Sequence, residues 1–276
     1  MKNQFRVWSW VVVLLMTVLS MSASAQKRQP DIRFVPTPQE SVEAMLETAR
    51  VSKNDIVYDL GCGDGRFVIT AAQKYGARGV GVDIDPERIQ ESNHNARAQG
   101  VMDRVKFIEA DLFETDIREA TVVTLYLFWD INVKLRPKLF SELKPGSRVV
   151  SYYFDMEDWR PDKKGENFYF WVIPAKVAGQ WQWSFIGTDG EKQYQLRLEQ
   201  KYQEIDGTVN LSDKQVRLQN PRLEGDQLSF QAISESQGSS VTLRFKGCVA
   251  GETITGTVEI DGGSLKGTWS WKAHRL

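Results

Sequence analysis

Soft metal ligands are scarce in this sequence of 276 residues, which contains only two cysteines and two histidines. Cys62 and Cys248 lie far apart in unlike sequence contexts, so neither a disulfide framework nor a metal site is expected. An excess of basic residues is also missing, because 35 lysines and arginines are balanced by 36 aspartates and glutamates. The composition therefore predicts no nucleic-acid partner.

A long apolar run is lacking as well. Residues 7–19 are apolar, but a comfortable membrane span needs about 20 residues. This run follows a basic start at residues 2–6 and precedes a small-residue motif at residues 23–25, which predicts a secretory signal peptide over residues 1–25 and an exported protein, periplasmic or secreted. The alternative is an uncleaved anchor in the inner membrane, and the positive charges at residues 27–28 favour it slightly.

Residues 34–174 alternate between strand and helix signals. Near-continuous apolar strands separated by amphipathic helices are typical of a parallel sheet covered on both faces, so we predict a Rossmann-like α/β domain here. A binding crevice should lie at the carboxyl ends of the strands. The predicted strands are residues 56–60, 79–83, 104–109, 121–128 and 147–153.

Residues 179–276 have a different texture, with apolar and polar residues alternating between recurrent glycine turns. This pattern predicts an all-β antiparallel meander, either a small barrel or a sandwich. Trp181 and Trp183 open the region, and Trp269 and Trp271 close it. We expect these four rings to pack in a core between the first and last strands, and the alternative is a ligand-lined barrel mouth.

A glycine loop follows the first strand, which ends near Asp59. Its glycines are Gly61, Gly63 and Gly65, whereas a dinucleotide fingerprint would need its third glycine where Arg66 stands. No Gly-Lys-Ser/Thr follows, so a phosphate-cradling loop is also disfavoured. The next strand ends in Asp83, and a buried acid there is costly without a partner. Ribose hydroxyls are such a partner, so the pattern favours a nucleoside site.

This loop resembles motif I of the class I S-adenosylmethionine-dependent methyltransferases. The resemblance implies that S-adenosylmethionine is the cofactor and that bare backbone approaches its methionine part. It also implies that acids at the strand ends bind the ammonium, the ribose and the adenine. The implied cofactor-binding residues are Asp59 (ammonium), Gly61 and Gly63 (methionine part), Asp83 (ribose hydroxyls), Asp111 (adenine amine) and Leu112 (adenine ring).

The resemblance narrows to one subgroup, the protein-lysine methyltransferases of the mitochondrial adenine nucleotide translocase and ATP synthase c-subunit, with their bacterial relatives. It rests on the FVPTP segment at residues 34–38, the stretch at residues 121–154 and Trp159-Arg160-Pro161. The likeness covers residues 34–174 and none of the later region. It implies a protein lysine as methyl acceptor, with a membrane-associated substrate as one option.

A lysine acceptor must lose its proton before it can attack. Deprotonation at pH 7 costs about 4–5 kcal/mol for an unperturbed amine, and an aromatic pocket lowers that cost by desolvation. Aromatic side chains end the fourth predicted strand, so we predict Tyr126, Trp129 and Asp130 as catalytic residues. The alternative is that the aromatics pack the sheet and Asp130 caps the next helix. No N-P-P-Y motif is present, which disfavours glutamine or adenine acceptors.

Two other functions stay open at this point. A non-catalytic envelope protein that binds a nucleoside or another ligand would explain why an exported chain needs no supply of cytoplasmic methyl donor. A small-molecule methyltransferase would use the same cleft for a different acceptor.

Overall fold

A computed structural model describes residues 33–276 except 188–189, 212–213, 237–238 and 263–265. The predicted signal peptide, residues 1–25, therefore lies outside the described residues. Within the described ranges, no helix combines the length and apolar character that crossing a membrane requires.

The first part of the chain folds into a sheet with flanking helices. Its elements are α1 Gln39–Thr48, β1 Ile56–Leu60, α2 Arg66–Tyr75, β2 Arg78–Asp83, α3 Pro86–Ala98, β3 Val105–Glu109, β4 Val122–Leu125, α4 Trp129–Glu142, β5 Arg148–Tyr152, β6 Lys163–Lys164 and β7 Phe168–Val172. In the described residues, the seven strands have the order β3-β2-β1-β4-β5-β7-β6. Strands β1 to β5 run parallel, which confirms the predicted Rossmann-like α/β fold. Strands β7 and β6 add an antiparallel edge that the sequence pattern did not predict.

The central strands are apolar throughout because both faces of this sheet are covered. Successive side chains of a strand point to opposite faces, so Val57 packs in one core and Tyr58 in the other. Helices α1 and α2 cover the first face, where Val42 and Val68 are fully buried. Helix α4 covers the second face with buried leucines such as Leu135. Each core excludes water from one side of the strands, which fixes where their carboxyl ends lie.

The second sheet is antiparallel throughout and has nine strands in the described residues. They are β8 Gly179–Gly187, β9 Gly190–Lys201, β10 Glu204–Leu211, β11 Lys214–Arg217, β12 Gln219–Glu224, β13 Gln227–Ser236, β14 Ser239–Ala250, β15 Thr253–Asp261 and β16 Gly267–Arg275. Their order is β11-β10-β9-β8-β16-β15-β14-β13-β12, and the two ends of the sheet approach each other, so it is nearly closed and barrel-like. This confirms the predicted all-β meander.

The first and last strands of the barrel are paired, as the tryptophan pattern predicts. Trp181, Trp183 and Trp271 are buried in one aromatic core, where Trp183 and Trp271 lie 5.3 Å apart between ring centroids. The expectation for Trp269 is wrong, because its side chain is 40% exposed near the end of β16. The division of the chain into domains at residues 34–174 and 179–276 stays a prediction.

Candidate functional site

A cleft opens at the carboxyl ends of β1, β2 and β4, where parallel-sheet folds place their ligands. The glycine loop forms its floor, and the segments that follow β3, β4 and β5 form its sides. The sequence-predicted residues divide between the cleft and its surroundings. Six of them line it: Asp59, Gly61, Asp83, Asp111, Leu112 and Tyr126. Gly63, Trp129 and Asp130 are outside the lining.

The glycine loop is a left-handed turn of bare backbone. Gly61, Gly63 and Gly65 have φ angles of 84°, 54° and 82°, a region that favours glycine. A Cβ atom on Gly63 would lie 2.1 Å from the ring of Phe34, so a side chain does not fit there. Gly63 thus belongs to the loop beneath the cleft although it does not line it. This turn gives a ligand close access to backbone, as the sequence predicts.

Asp83 connects the end of β2 to this loop. Its Oδ2 accepts a hydrogen bond from the Gly63 N–H at 2.9 Å, and its Oδ1 accepts one from the Asp85 N–H at 3.0 Å. Burial raises the pKa of the Asp83 carboxyl. Each carboxylate oxygen keeps a further lone pair, so both can still accept a hydroxyl proton from a ligand in the cleft. The predicted ribose role is compatible with this geometry and stays a prediction.

Asp59 is a buried acid at the bottom of the cleft, with 2% of its surface exposed. It accepts a hydrogen bond from the Thr124 hydroxyl at 2.7 Å. Burial raises the pKa of its carboxyl to about 8, and the nearby charges of Asp64 and Asp83 contribute to the rise. A bound cation would stabilise the ionised form, so the site fits an ammonium group next to the glycine loop.

Asp111 and Leu112 form the side of the cleft that follows β3. The Asp111 Oδ1 accepts a hydrogen bond from the Phe113 N–H at 2.9 Å, and its carbonyl accepts one from the Thr115 N–H at 3.0 Å. These bonds close a turn that holds both residues at the cleft. Their predicted contacts with adenine stay predictions.

The opposite side of the cleft is an aromatic wall, defined here as Tyr126, Phe128, Tyr153 and Phe154. Its rings form two neighbouring pairs. The rings of Tyr126 and Tyr153 lie 6.4 Å apart, and those of Phe128 and Phe154 lie 5.4 Å apart. Burial raises the pKa of the Tyr126 hydroxyl, so it stays protonated at neutral pH. The wall gives the cleft one desolvating side, in contrast to its acidic floor.

Tyr153 and Phe154 are part of this wall although the sequence pattern did not single them out. They directly follow β5, the strand next to β4 in the sheet. Tyr153 has a left-handed φ of 61°, and its N–H donates to the Asn167 carbonyl at 2.8 Å. The signal that could have found them is their position, since they end a strand adjacent to Tyr126.

Trp129 and Asp130 lie in the first turn of α4, where both are exposed. The carboxylate of Asp130 makes no hydrogen bond or ion pair with any described residue, and the helix has no side-chain cap. The capping alternative is therefore wrong for Asp130, although an acid suits a helix N-terminus. The catalytic roles of both residues stay predictions.

The segment before α1 closes the cleft from above, which sequence reasoning also missed. The ring of Phe34 lies over Gly63, and the Arg88 guanidinium is 5.0 Å from the centre of that ring. Arg66 pairs with Asp64 and donates to the carbonyl of Thr37. The FVPTP segment is thus attached to the start of α2 beside the glycine loop.

Comparisons with known proteins identify relatives of the first sheet and its cleft. The family model described as the ANTKMT methyltransferase domain matches residues 59–163. A protein-lysine N-methyltransferase of Saccharolobus islandicus is 51% identical over 133 residues, which are 48% of this chain and 83% of that protein. The human lysine N-methyltransferase of the ATP synthase c-subunit is 31% identical over 135 residues, 49% of this chain and 57% of that protein.

A solved structure gives the same picture. It is described as an RNA methyltransferase from Salinibacter ruber in complex with S-adenosyl-L-homocysteine and is 52% identical, with a TM-score of 0.51. The match covers 52% of this chain and 96% of that one.

Proposed function

Because this chain belongs to the ANTKMT methyltransferase family and is an S-adenosylmethionine-dependent methyltransferase, we propose that it methylates the ε-amine of a lysine in a protein substrate. The observation that carries this proposal is the aromatic wall beside a cofactor cleft. The names of the archaeal and human relatives support a protein lysine as acceptor.

The floor of the cleft suits the cofactor. S-adenosylmethionine supplies a methyl group on a positively charged sulfur, ready for in-line displacement. We assign Asp59 to its ammonium, the turn at Gly61 and Gly63 to its methionine part, and Asp83 to its ribose. Asp111 and Leu112 then receive the adenine.

The aromatic wall suits the acceptor. A lysine amine that enters between Tyr126 and Tyr153 leaves bulk water, which lowers the cost of about 4–5 kcal/mol for its deprotonation. The Tyr126 hydroxyl, whose pKa burial raises, orients the amine and does not remove its proton. Asp130, exposed at the start of α4, attracts the lysine ammonium from solvent. The protein thereby aligns the amine and excludes water.

A protein acceptor is favoured over RNA by charge. The Salinibacter structure is described as an RNA methyltransferase. The chain has no basic excess, however, with 35 basic and 36 acidic residues. Asp64, Asp85 and Asp111 also line the cleft, where they would repel phosphates.

Methyl transfer to an envelope extract tests the function. Wild-type protein and labelled S-adenosylmethionine should label proteins, and peptide mass analysis should place the methyl groups on lysine. Gly63→Arg should abolish the labelling, whereas Gly100→Arg is the control, since Gly100 also has a left-handed φ but lies in open space. Label in RNA or in a small metabolite would overturn the lysine assignment. Cofactor binding without transfer to any fraction would favour a pure binding protein.

We also propose that the chain is exported and that its substrate is membrane-associated. The sequence at residues 1–25 supports export, and an apolar rim supports a substrate at a membrane. Exposed apolar side chains at or beside the cleft mouth form this rim: Phe34, Val35, Phe128, Trp129 and Tyr153. N-terminal sequencing of the fractionated protein should find Gln26 first, in the exported fraction. An intact Met1 in the membrane fraction would show the anchored alternative, and recovery in the cytoplasm would refute both.

A further inference from the structure

The turn that joins β9 to β10 of the barrel inserts into the methyltransferase part of the chain. Gln203 lies at this turn, and its Oε1 accepts a hydrogen bond from the Trp159 Nε1–H at 2.9 Å. Its Nε2 donates to the Arg160 carbonyl at 2.6 Å and to the Asp162 carboxylate at 3.3 Å. One side chain of the barrel therefore binds three residues of the segment that follows β5.

Tyr202 makes the second set of contacts. Its φ of 56° is left-handed, and its ring stacks on Phe140 of α4 with centroids 5.4 Å apart. Its hydroxyl donates to Asp158 at 3.0 Å, where Arg136 of α4 also binds at 2.7 Å. The turn thus joins α4 to the same segment.

That segment, residues 153–162, connects the turn to the cleft. It contains no helix or strand, and Tyr153 and Phe154 at its start belong to the aromatic wall. At its centre Trp159 is fully buried, with its ring 4.5 Å from that of Phe140. Asn132 of α4 donates to the Phe154 carbonyl at 3.1 Å. Contacts within the methyltransferase part therefore hold one end of the segment, while the barrel holds the other.

The cofactor side of the cleft has no such connection. Among the described residues, the hydrogen bonds and ring contacts of Tyr202 and Gln203 reach the barrel and residues 136–162 but not the glycine loop. A disturbance at the turn should therefore move the acceptor side and leave the cofactor side in place.

We propose that Gln203 and Tyr202 are positioning residues for methyl transfer: the barrel fixes residues 153–162 and thereby sets the aromatic wall against the acceptor amine. This inference rests on the proposed amine acceptor and gives the added barrel a part in the reaction. Neither residue touches a substrate, so the expected effect is on acceptor binding and turnover and not on cofactor affinity.

The test compares two ligands of the full chain by calorimetry. One is S-adenosylhomocysteine, and the other is an aza-analogue of it that carries an aminobutyl arm in place of the transferred methyl. Gln203→Ala should weaken the arm-bearing analogue about tenfold, the equivalent of about 1.4 kcal/mol, and change S-adenosylhomocysteine less than about twofold. Tyr202→Phe, which loses the hydroxyl and keeps the ring, should weaken the analogue about threefold. Gln215→Ala is the control, since Gln215 bonds only within the barrel, to Thr208 at 3.0 Å.

The outcomes separate the proposals. Equal weakening of both ligands, or of neither, by Gln203→Ala would overturn the positioning role. If the arm gives wild-type protein no gain over S-adenosylhomocysteine, the amine acceptor fails, and amide hydrogen exchange decides the positioning role. Faster exchange at residues 153–155 in Gln203→Ala than in Gln215→Ala would support it, and equal exchange would overturn it. Should Gln203→Ala not fold, Tyr202→Phe provides both comparisons.

Discussion

The two sides of the cleft are built in opposite ways. The cofactor side consists of strand ends and a glycine loop, joined by hydrogen bonds from Asp83 and closed over the buried Asp59. The acceptor side consists of aromatic rings from two segments, after β4 and after β5, and the second of these is held by a turn of the barrel. A side built from hydrogen bonds suits one invariant cofactor, whereas a side held by an added domain can be adapted to a particular acceptor.

The largest effect should come from filling the glycine loop. Gly63→Ala places a Cβ atom 2.1 Å from the Phe34 ring position and forces a left-handed φ of 54° on a residue that disfavours it. We expect S-adenosylhomocysteine affinity to fall at least about 100-fold by calorimetry, more than the roughly 1–2 kcal/mol of backbone strain alone would cause. Gly100→Ala is the matched control, because its φ is 68° and no atom lies within 4 Å. Similar affinities of the two variants would contradict a closely fitted cofactor side.

Removal of Asp83 should have the next largest effect. Asp83→Ala deletes the acceptor of the Gly63 and Asp85 N–H groups as well as the proposed ribose contact. Charged hydrogen bonds contribute about 2–3 kcal/mol, so the dissociation constant of S-adenosylhomocysteine should rise about 30- to 100-fold. Asp116→Ala, at an exposed acid that pairs with Arg118, should leave the constant unchanged. A loss below about threefold for Asp83→Ala would remove Asp83 from the cofactor side.

The pH dependence of binding tests Asp59. Burial raises the pKa of its carboxyl to about 8, so it is protonated at pH 6 and must ionise when it binds an ammonium. Affinity for S-adenosylhomocysteine should therefore rise about tenfold per pH unit between about pH 6 and 7.5. Asp59→Asn should abolish this slope in calorimetric titrations, and a wild-type slope near zero would show that Asp59 binds no cation.

The same group should affect stability in the opposite sense. The ordinary pKa of an aspartate is 3.8, so between about pH 4 and 8 Asp59 binds a proton in the folded chain only. The free energy of unfolding should then fall as the pH rises through this window, and denaturant titrations of Asp59→Asn should show a smaller fall. An unchanged slope in the variant would contradict the raised pKa.

The smallest effect should come from the acceptor side. Tyr153→Ala removes a half-exposed ring of the aromatic wall, so methyl transfer to extract proteins should slow about fivefold while cofactor affinity stays unchanged. Tyr75→Ala, at a partly buried tyrosine of α2 outside the cleft, should leave transfer unchanged. A change in cofactor affinity for Tyr153→Ala would show that the two sides are not independent.

The same contrast explains how much of the site the sequence could predict. The glycine loop and Asp83 lie within one strand–helix–strand unit, so local pattern was enough to bring them together. The sequence also identified Tyr126, because it directly follows an apolar strand. Tyr153 and Phe154 were missed because they join the cleft only through the lateral order of β4 and β5. The turn at Gln203 could not be predicted, since nothing local says where one sheet contacts the other.

The barrel shows the same limit. Strand alternation and glycine turns were enough to predict an antiparallel meander with paired first and last strands. The exposure of Trp269 depends on its place at the open end of β16, which alternation along a strand does not reveal.

A crystal structure with S-adenosylhomocysteine is the most direct measurement of this account. The ribose hydroxyls should lie within hydrogen-bond distance of Asp83, and the sulfur should face the rings of Tyr126 and Tyr153. A nucleoside bound elsewhere, or a cleft still filled by Phe34 at saturating ligand, would contradict the division of the cleft into a cofactor side and an acceptor side.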